Sequence, residues 1–322
     1  MRHVQTQDGM DNGVLEGAVD FPDFLIIGAP KCGTTTLYKW VDGHPGVFIP
    51  GKELCFFSQD IFPTGKLATH IPDLDAYRAL FSVTEATGKT KGEATPKYLY
   101  SDKALNALAN MNPRPRLIVC VRDPVDLAIS LHSQKVREGW EKERDFAKAW
   151  MRELDVTTPE AARARPGELN YVFWAHIGAR LERLFSLFRT EDVLIIHLCE
   201  LRQRPSEVYE RLLRFLNLPD DGRRLFPSSN RRTGLRSPRI NHWALQAKRL
   251  AEPALGPLRR ARGGRGLGLL KMINRYNVVE NTYISTISPG LREQLVEFLA
   301  SDIELAERHL AGPLMEQASD DQ

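Results

Sequence analysis

Cysteine is scarce: four in 322 residues, Cys32, Cys55, Cys120 and Cys199, with no Cys-x-x-Cys pair. That spacing excludes the usual zinc sites and favours reduced thiols over a disulfide framework. No run approaches the ~18 consecutive apolar residues of a membrane-spanning helix. Residues 1–20 are polar and acidic and lack an apolar signal core, so they read as a flexible tail. There is no internal repeat and no linker long enough to divide the chain. One domain is therefore expected over residues 21–315, and the 42% apolar fraction suffices for its core. Balanced charge is also missing. Arg223 to Arg275 holds fourteen lysines and arginines against one acid, Glu252, a net +13 that leaves −10 for the rest of the chain. Such a stretch marks a polyanion-facing surface or, for residues 259–265, a solvated loop without a partner. No aromatic residue interleaves with the arginines of residues 259–265, which weakens a stacking interaction with nucleic acid, and none is expected as partner.

The most informative stretch runs from Phe24 to Thr36. Phe24 to Ile27 is short, apolar and β-branched, as in a buried parallel strand. Gly28 ends it, and Pro30 and Gly33 mark a turn. Thr34, Thr35 and Thr36 open an amphipathic helix carrying Leu37, Trp40 and Val41. A strand, a glycine loop and a helix N-terminus together cradle an anion, because free N–H groups and the helix dipole converge there. A nucleoside-triphosphatase loop needs lysine directly after its second glycine. Here Thr34 holds that place and the lysine, Lys31, lies inside the loop.

A second strand, Arg116 to Arg122, precedes Asp123-Pro124 and a helix that passes through Ser130. Arginine forms bidentate contacts with phosphate oxygens, and Pro124 suits a first helical position. Arg122 could equally pair with Asp123 or Asp126.

Together these segments resemble the sulfotransferases that use 3′-phosphoadenylyl sulfate (PAPS). In that family Gly-x-x-Lys-x-Gly-Thr-Thr holds the 5′-phosphosulfate, and Lys31, Gly33, Thr34, Thr35 and Thr36 match it, with Cys32 in the same loop. A strand-end arginine and a serine eight residues later bind the 3′-phosphate, as Arg122 and Ser130 are spaced. Lys52-Glu-Leu-Cys-Phe-Phe57 resembles the Lys-Glu-Pro-His-Phe-Phe segment of heparan sulfate sulfotransferases and their bacterial relatives. The resemblance makes Glu53 the base, with Lys52 beside it and Lys31 on the leaving group; a surface acid paired with Lys52, with a histidine as base, is the alternative. Cys55 replaces the histidine of the acceptor side, which argues against a glycan-like acceptor. Gly92-Glu-Ala-Thr-Pro-Lys-Tyr98 resembles a turn near the acceptor cleft, offering Lys97 and Tyr98 to substrate or, alternatively, packing Tyr98 inside. Asn230 to Ser237 loosely resembles the loop over the donor's 3′ end, with Arg231 or Arg236 toward the phosphate. The family's tyrosine in the later helix is Ile177 here.

The resemblance implies PAPS as donor, no metal, and a small-molecule or carrier-bound acceptor. Without the N-terminal anchor of the animal Golgi enzymes, a cytoplasmic location is expected. His44, His132 and His242 are read as structural. Neither the acceptor nor the oligomeric state is assigned.

The expected fold is α/β, a P-loop-like parallel sheet with helices on both faces. Strands are expected at 23–28, 46–49, 90–93, 116–122 and 192–198. Helices are expected at 34–42, 73–81, 101–110, 124–137, 143–154, 171–187, 205–217, 241–251 and 290–310.

Overall fold

The computed structural model describes residues 20–61, 71–154, 170–227, 283–310 and 312–315, with the short strands Leu15–Glu16, Thr233–Leu235 and Val278–Glu280. The central strands are β1 (Phe24–Gly28), β2 (Val47–Phe48), β3 (Thr90–Ala94), β4 (Arg116–Val121) and β5 (Val193–His197). They form one parallel sheet in the order β2-β3-β1-β4-β5. Every residue of β1 is buried, as are the last five of β4, so both faces of the sheet are covered. Phe24 pairs with Gly92 on one side and Arg116 on the other. A Cβ at Gly92 would lie 2.2 Å from the Phe24 ring, which explains a glycine inside a strand.

The helices are α1 (Thr34–Asp42), α2 (Leu74–Ala79), α3 (Asp102–Ala109), α4 (Pro124–Glu138), α5 (Phe146–Leu154), α6 (Tyr171–Ala175), α7 (Ile177–Phe185), α8 (Leu198–Gln203), α9 (Pro205–Leu216) and α10 (Pro289–Glu307). Their ends follow local chemistry. Asp123 caps α4 by accepting from the N–H groups of Val125 and Asp126 (2.8 and 3.0 Å), and Gly139 ends it with φ 75°. Pro205 opens α9 and Asn217 closes it at φ 55°.

Two elements differ from expectation. The single helix over 171–187 breaks at His176, whose Nδ1 bonds the Val172 carbonyl at 2.7 Å. The helix restarts because Asp302 of α10 accepts from Gly178 and Ala179 N–H at 2.7 and 2.8 Å, a cap supplied from another part of the chain. The unexpected α8 follows β5 without a loop, started by a capping box between His197 and Glu200. The helix expected at 241–251 and the arginines of 259–265 lie outside the described residues.

Candidate active site

The chain turns one way from β1 to β2 and the other way to β4, so β1 is a topological switch point. In parallel sheets ligands bind in the crevice beyond the carboxyl ends of strands at such a point. Three segments meet there: residues 29–33 after β1, residues 95–97 after β3, and Arg122 after β4. Ala29 N–H donates to the Cys120 carbonyl (2.6 Å) and Thr95 N–H to that of Ile26 (3.0 Å), tying the three together.

The loop after β1 is held in a left-handed conformation at Lys31 (φ 68°) and Gly33 (φ 93°). Glycine is required at the second position twice over, since a Cβ would also lie 2.9 Å from the methyls of Leu198 and Leu201 on α8. Thr34 and Thr35 N–H then open α1, where no intrahelical carbonyl precedes them, and no acid occupies this first turn. The result is an anion site with Lys31 at its rim. Burial is the main reason the Lys31 ammonium pKa falls to about 8, with Arg137, Lys135 and Arg122 adding repulsion and Glu138 partly offsetting it.

Cys32 belongs to the turn's interior. Its Sγ reaches the Pro30 carbonyl at 3.5 Å, its N–H donates to Ala29 at 3.3 Å, and burial pushes the thiol up to about 12. Neither its thiol nor its amide faces the crevice as a ligand would require, contrary to its inclusion among the donor-binding residues.

Across the crevice, the strand-like segment after β2 runs along the end of β3. Lys52 bridges to Ala94, and Glu53 N–H donates to the Ala94 carbonyl at 2.7 Å. Glu53 (φ 59°) and Cys55 (φ 53°) are both left-handed, a strain of about 1–3 kcal/mol each that concentrates at functional sites. Cys55 is buried, and its N–H donates to Thr95 Oγ1 at 3.3 Å. Glu53 is 47% exposed at the opening, 3.5 Å from Lys52 Nζ. Lys52 also donates to Thr35 Oγ1 at 2.6 Å, joining the carboxylate side of the site to the anion loop.

Arg122 is 13% exposed. It donates to the Lys31 carbonyl (3.4 Å) and to Asp126 (3.1 Å), while its Nε is buried without a partner. Ser130 lies two turns along α4 on the same side. Both line a cavity of about 850 Å³ together with Lys31, Gly33, Thr34, Thr35, Thr36, Lys52, Glu53 and Lys97. Seven lysines and arginines and three carboxylates line it, an excess suited to an anionic ligand.

Tyr98 does not reach this cavity. It is fully buried, accepts from Phe57 N–H at 3.4 Å and bonds Glu93, whose pKa burial raises. The tight turn at Pro96 points Lys97 outward and Tyr98 into the core, so the packing alternative holds. His132 and His44 are both tied into the fold by hydrogen bonds. His132 bonds Ser285 Oγ at 2.6 Å and the Glu143 carbonyl at 2.9 Å; His44 bonds the Pro219 carbonyl at 3.0 Å. Ile177 is buried. Arg231, Arg236 and His242 lie outside the described residues; the strand between the two arginines pairs with Val278–Glu280.

Sequence reasoning missed Gln134, Arg137 and Glu138 of α4, Trp174 of α6, Arg202 of α8 and Ile284, all on the cavity wall. The α4 set had a signal: 126, 130, 134 and 137/138 follow the helical repeat from Arg122. Trp174, Arg202 and Ile284 had none.

The sequence profile of the sulfotransferase domain matches residues 21–245. Heparan sulfate glucosamine 3-O-sulfotransferase 5 of Mus musculus is 25% identical over 198 residues, 62% of this chain and 54% of that protein. Heparan sulfate glucosamine 3-O-sulfotransferase 6 of the same organism is 36% identical over 114 residues, 35% of this chain and 30% of the relative. The chain thus spans about half the length or less of these relatives. A sulfotransferase from Alicyclobacillus acidocaldarius shares the fold, with a TM-score of 0.63 and 23% identity over 89% of this chain and 95% of that one. A profile match over most of the chain, on a parallel sheet whose switch point carries the anion loop, places this enzyme in the sulfotransferase family.

Proposed function

We propose that the enzyme moves a sulfuryl group from PAPS to a hydroxyl, or an amine, of a small-molecule or carrier-bound acceptor. The observation that carries this reading is the position of Lys31 inside the β1–α1 loop, facing the same cavity as Glu53. The donor's charges fit the chain. Thr34, Thr35 and Thr36 at the start of α1, with Gly33, receive the 5′-phosphosulfate. Arg122 and Ser130 receive the 3′-phosphate, and the partnerless Nε of Arg122 is a donor still in need of an acceptor. Arg231 and Arg236 remain candidates for the same phosphate.

In the transfer step the acceptor atom bonds to sulfur as the bond from sulfur to the 5′-phosphate oxygen breaks. Glu53 takes the acceptor's proton. Lys31 stabilises charge that develops on the departing oxygen, and Lys52 couples Thr35 to Glu53. The sulfuryl group carries a single charge, so the reading needs no metal. Lys97 is assigned to the acceptor side. The replacement of the family histidine by Cys55, buried away from the cavity, argues against transferring the glycan acceptors in the relatives' names. No helix among the described residues is long and apolar enough to cross a membrane. No disulfide forms among the four cysteines, and the buried neighbours Cys32 and Cys120 stay as thiols, which suits a reducing cytoplasm. Residues 21–315 are read as one domain.

A nucleotide kinase on this scaffold is the alternative, opposed by Thr34 in the Walker-lysine place; an inactive polyanion binder is opposed by the Lys31, Glu53, Arg122 and Ser130 set. Thermal denaturation separates them. 3′,5′-Phosphoadenosine should raise Tm by mass action while ATP with magnesium does little. Equal or greater stabilisation by ATP would sink the sulfotransferase reading of the donor loop. Transfer of label from PAPS across an acceptor panel would then identify the acceptor.

A further inference from the structure

The guanidinium assigned to the 3′-phosphate is held by a carboxylate. Arg122 Nη2 donates to Asp126 at 3.1 Å, and an aspartate there competes with phosphate for the same donors. A second carboxylate, Asp123, lies one turn earlier and is almost wholly buried. Two negative charges therefore stand at the start of α4 beside one positive charge. That arrangement by itself would repel a phosphate dianion.

The balance is restored from the far end of the chain. Arg292, in the first turn of α10, donates through Nη1 to Asp126 at 2.7 Å and through Nη2 to Asp123. It is 38% exposed and spans both carboxylates as a fork. Asp126 is shared: one oxygen takes Arg122, the other takes Arg292. Burial raises the Asp123 pKa and the two arginines hold that of Asp126 down.

We infer that Arg292 is a positioning residue for donor recognition: by bridging Asp123 and Asp126 and offsetting one of their two charges, it keeps the carboxylates from outcompeting a 3′-phosphate for Arg122. This rests on the assignment of Arg122 above. Without Arg292 the cluster is one unit more negative, and Asp126 has only Arg122 to pair with. At an effective dielectric of about 20, a lone charge several ångströms away, partly screened, shifts phosphate affinity by about three- to tenfold.

The test compares 3′,5′-phosphoadenosine with 5′-AMP by titration calorimetry, so that the ratio of the two affinities isolates the 3′-phosphate. Arg292→Gln should lower that ratio by about three- to tenfold with AMP binding unchanged. Arg292→Lys should retain most of it. Adding Asp126→Asn to Arg292→Gln should restore it, which a merely structural role would not produce. Equal weakening of both nucleotides, or no restoration, overturns the inference. Arg122→Ala reports on the underlying assignment. If it abolishes the ratio while Arg292→Gln leaves it intact, only the role of Arg292 falls; if it leaves the ratio intact, the assignment of Arg122 falls. Should Arg292→Gln fail to fold, Asp126→Asn alone decides, because freeing Arg122 must keep or raise the ratio and a drop overturns the inference.

Discussion

Raising the pH should switch off donor capture by titrating Lys31. Desolvation in the β1–α1 loop, reinforced by Arg137, Lys135 and Arg122, brings its pKa from 10.5 to about 8. About nine-tenths of the enzyme then carries the ammonium at pH 7 and about a tenth does at pH 9, a pKa shift favouring the neutral form as pH rises. Only the protonated form supports the anionic donor. Log(kcat/KM) for PAPS, which reports the free enzyme, should be level near neutrality and fall with unit slope above pH about 8. In the donor complex the bound anion favours the ammonium, so the corresponding limb of kcat should lie at higher pH. Lys31→Arg should lower the plateau, because the point charge is replaced by a planar fork, and remove the limb, because guanidinium stays charged throughout. Initial rates over pH 6–10 at limiting and saturating PAPS provide the assay. A wild-type profile level to pH 10, or a limb unchanged in Lys31→Arg, would refute both the desolvation of Lys31 and its contact with the donor.

Glu53→Gln keeps shape and removes the proton acceptor, so turnover should drop by about 10²–10⁴-fold with bisphosphate binding intact; a variant retaining more than about a third of wild-type turnover would place the base elsewhere. Buried His132 is poorly placed to replace it. Tyr98→Phe should cost about 1–3 kcal/mol in denaturant unfolding, since the Glu93 carboxyl and Phe57 N–H lose a buried partner, while the acceptor KM stays unchanged; a large KM effect with normal stability would restore Tyr98 to the substrate side. Gly33→Ala should lose both stability and bisphosphate affinity, because the added methyl meets Leu198 and Leu201 in a left-handed turn; unaltered binding would show that the turn has room to relax.

The sequence determined the elements whose signals are local. Phe24–Gly28 and Arg116–Val121 form strands where their apolar runs stand, and Asp123, Pro124 and Gly139 bound α4 by capping chemistry within a few residues. The anion-type loop after the first strand was legible for the same reason: Lys31, Gly33 and the three threonines lie within one turn. Tertiary structure decided what depends on direction and on distant partners. Tyr98 and Lys97 are adjacent in sequence, yet the turn at Pro96 sends one to the core and the other to the cavity. Cys32 sits in the loop but is consumed by its interior packing. The break at His176 needs Asp302 as a cap, and Asp126, which pairs with Arg122, is also held by Arg292, 170 residues after Arg122. Periodicity and capping rules reach a few residues along the chain; a carboxylate's charge acts through space, and only folding brings α10 against the start of α4.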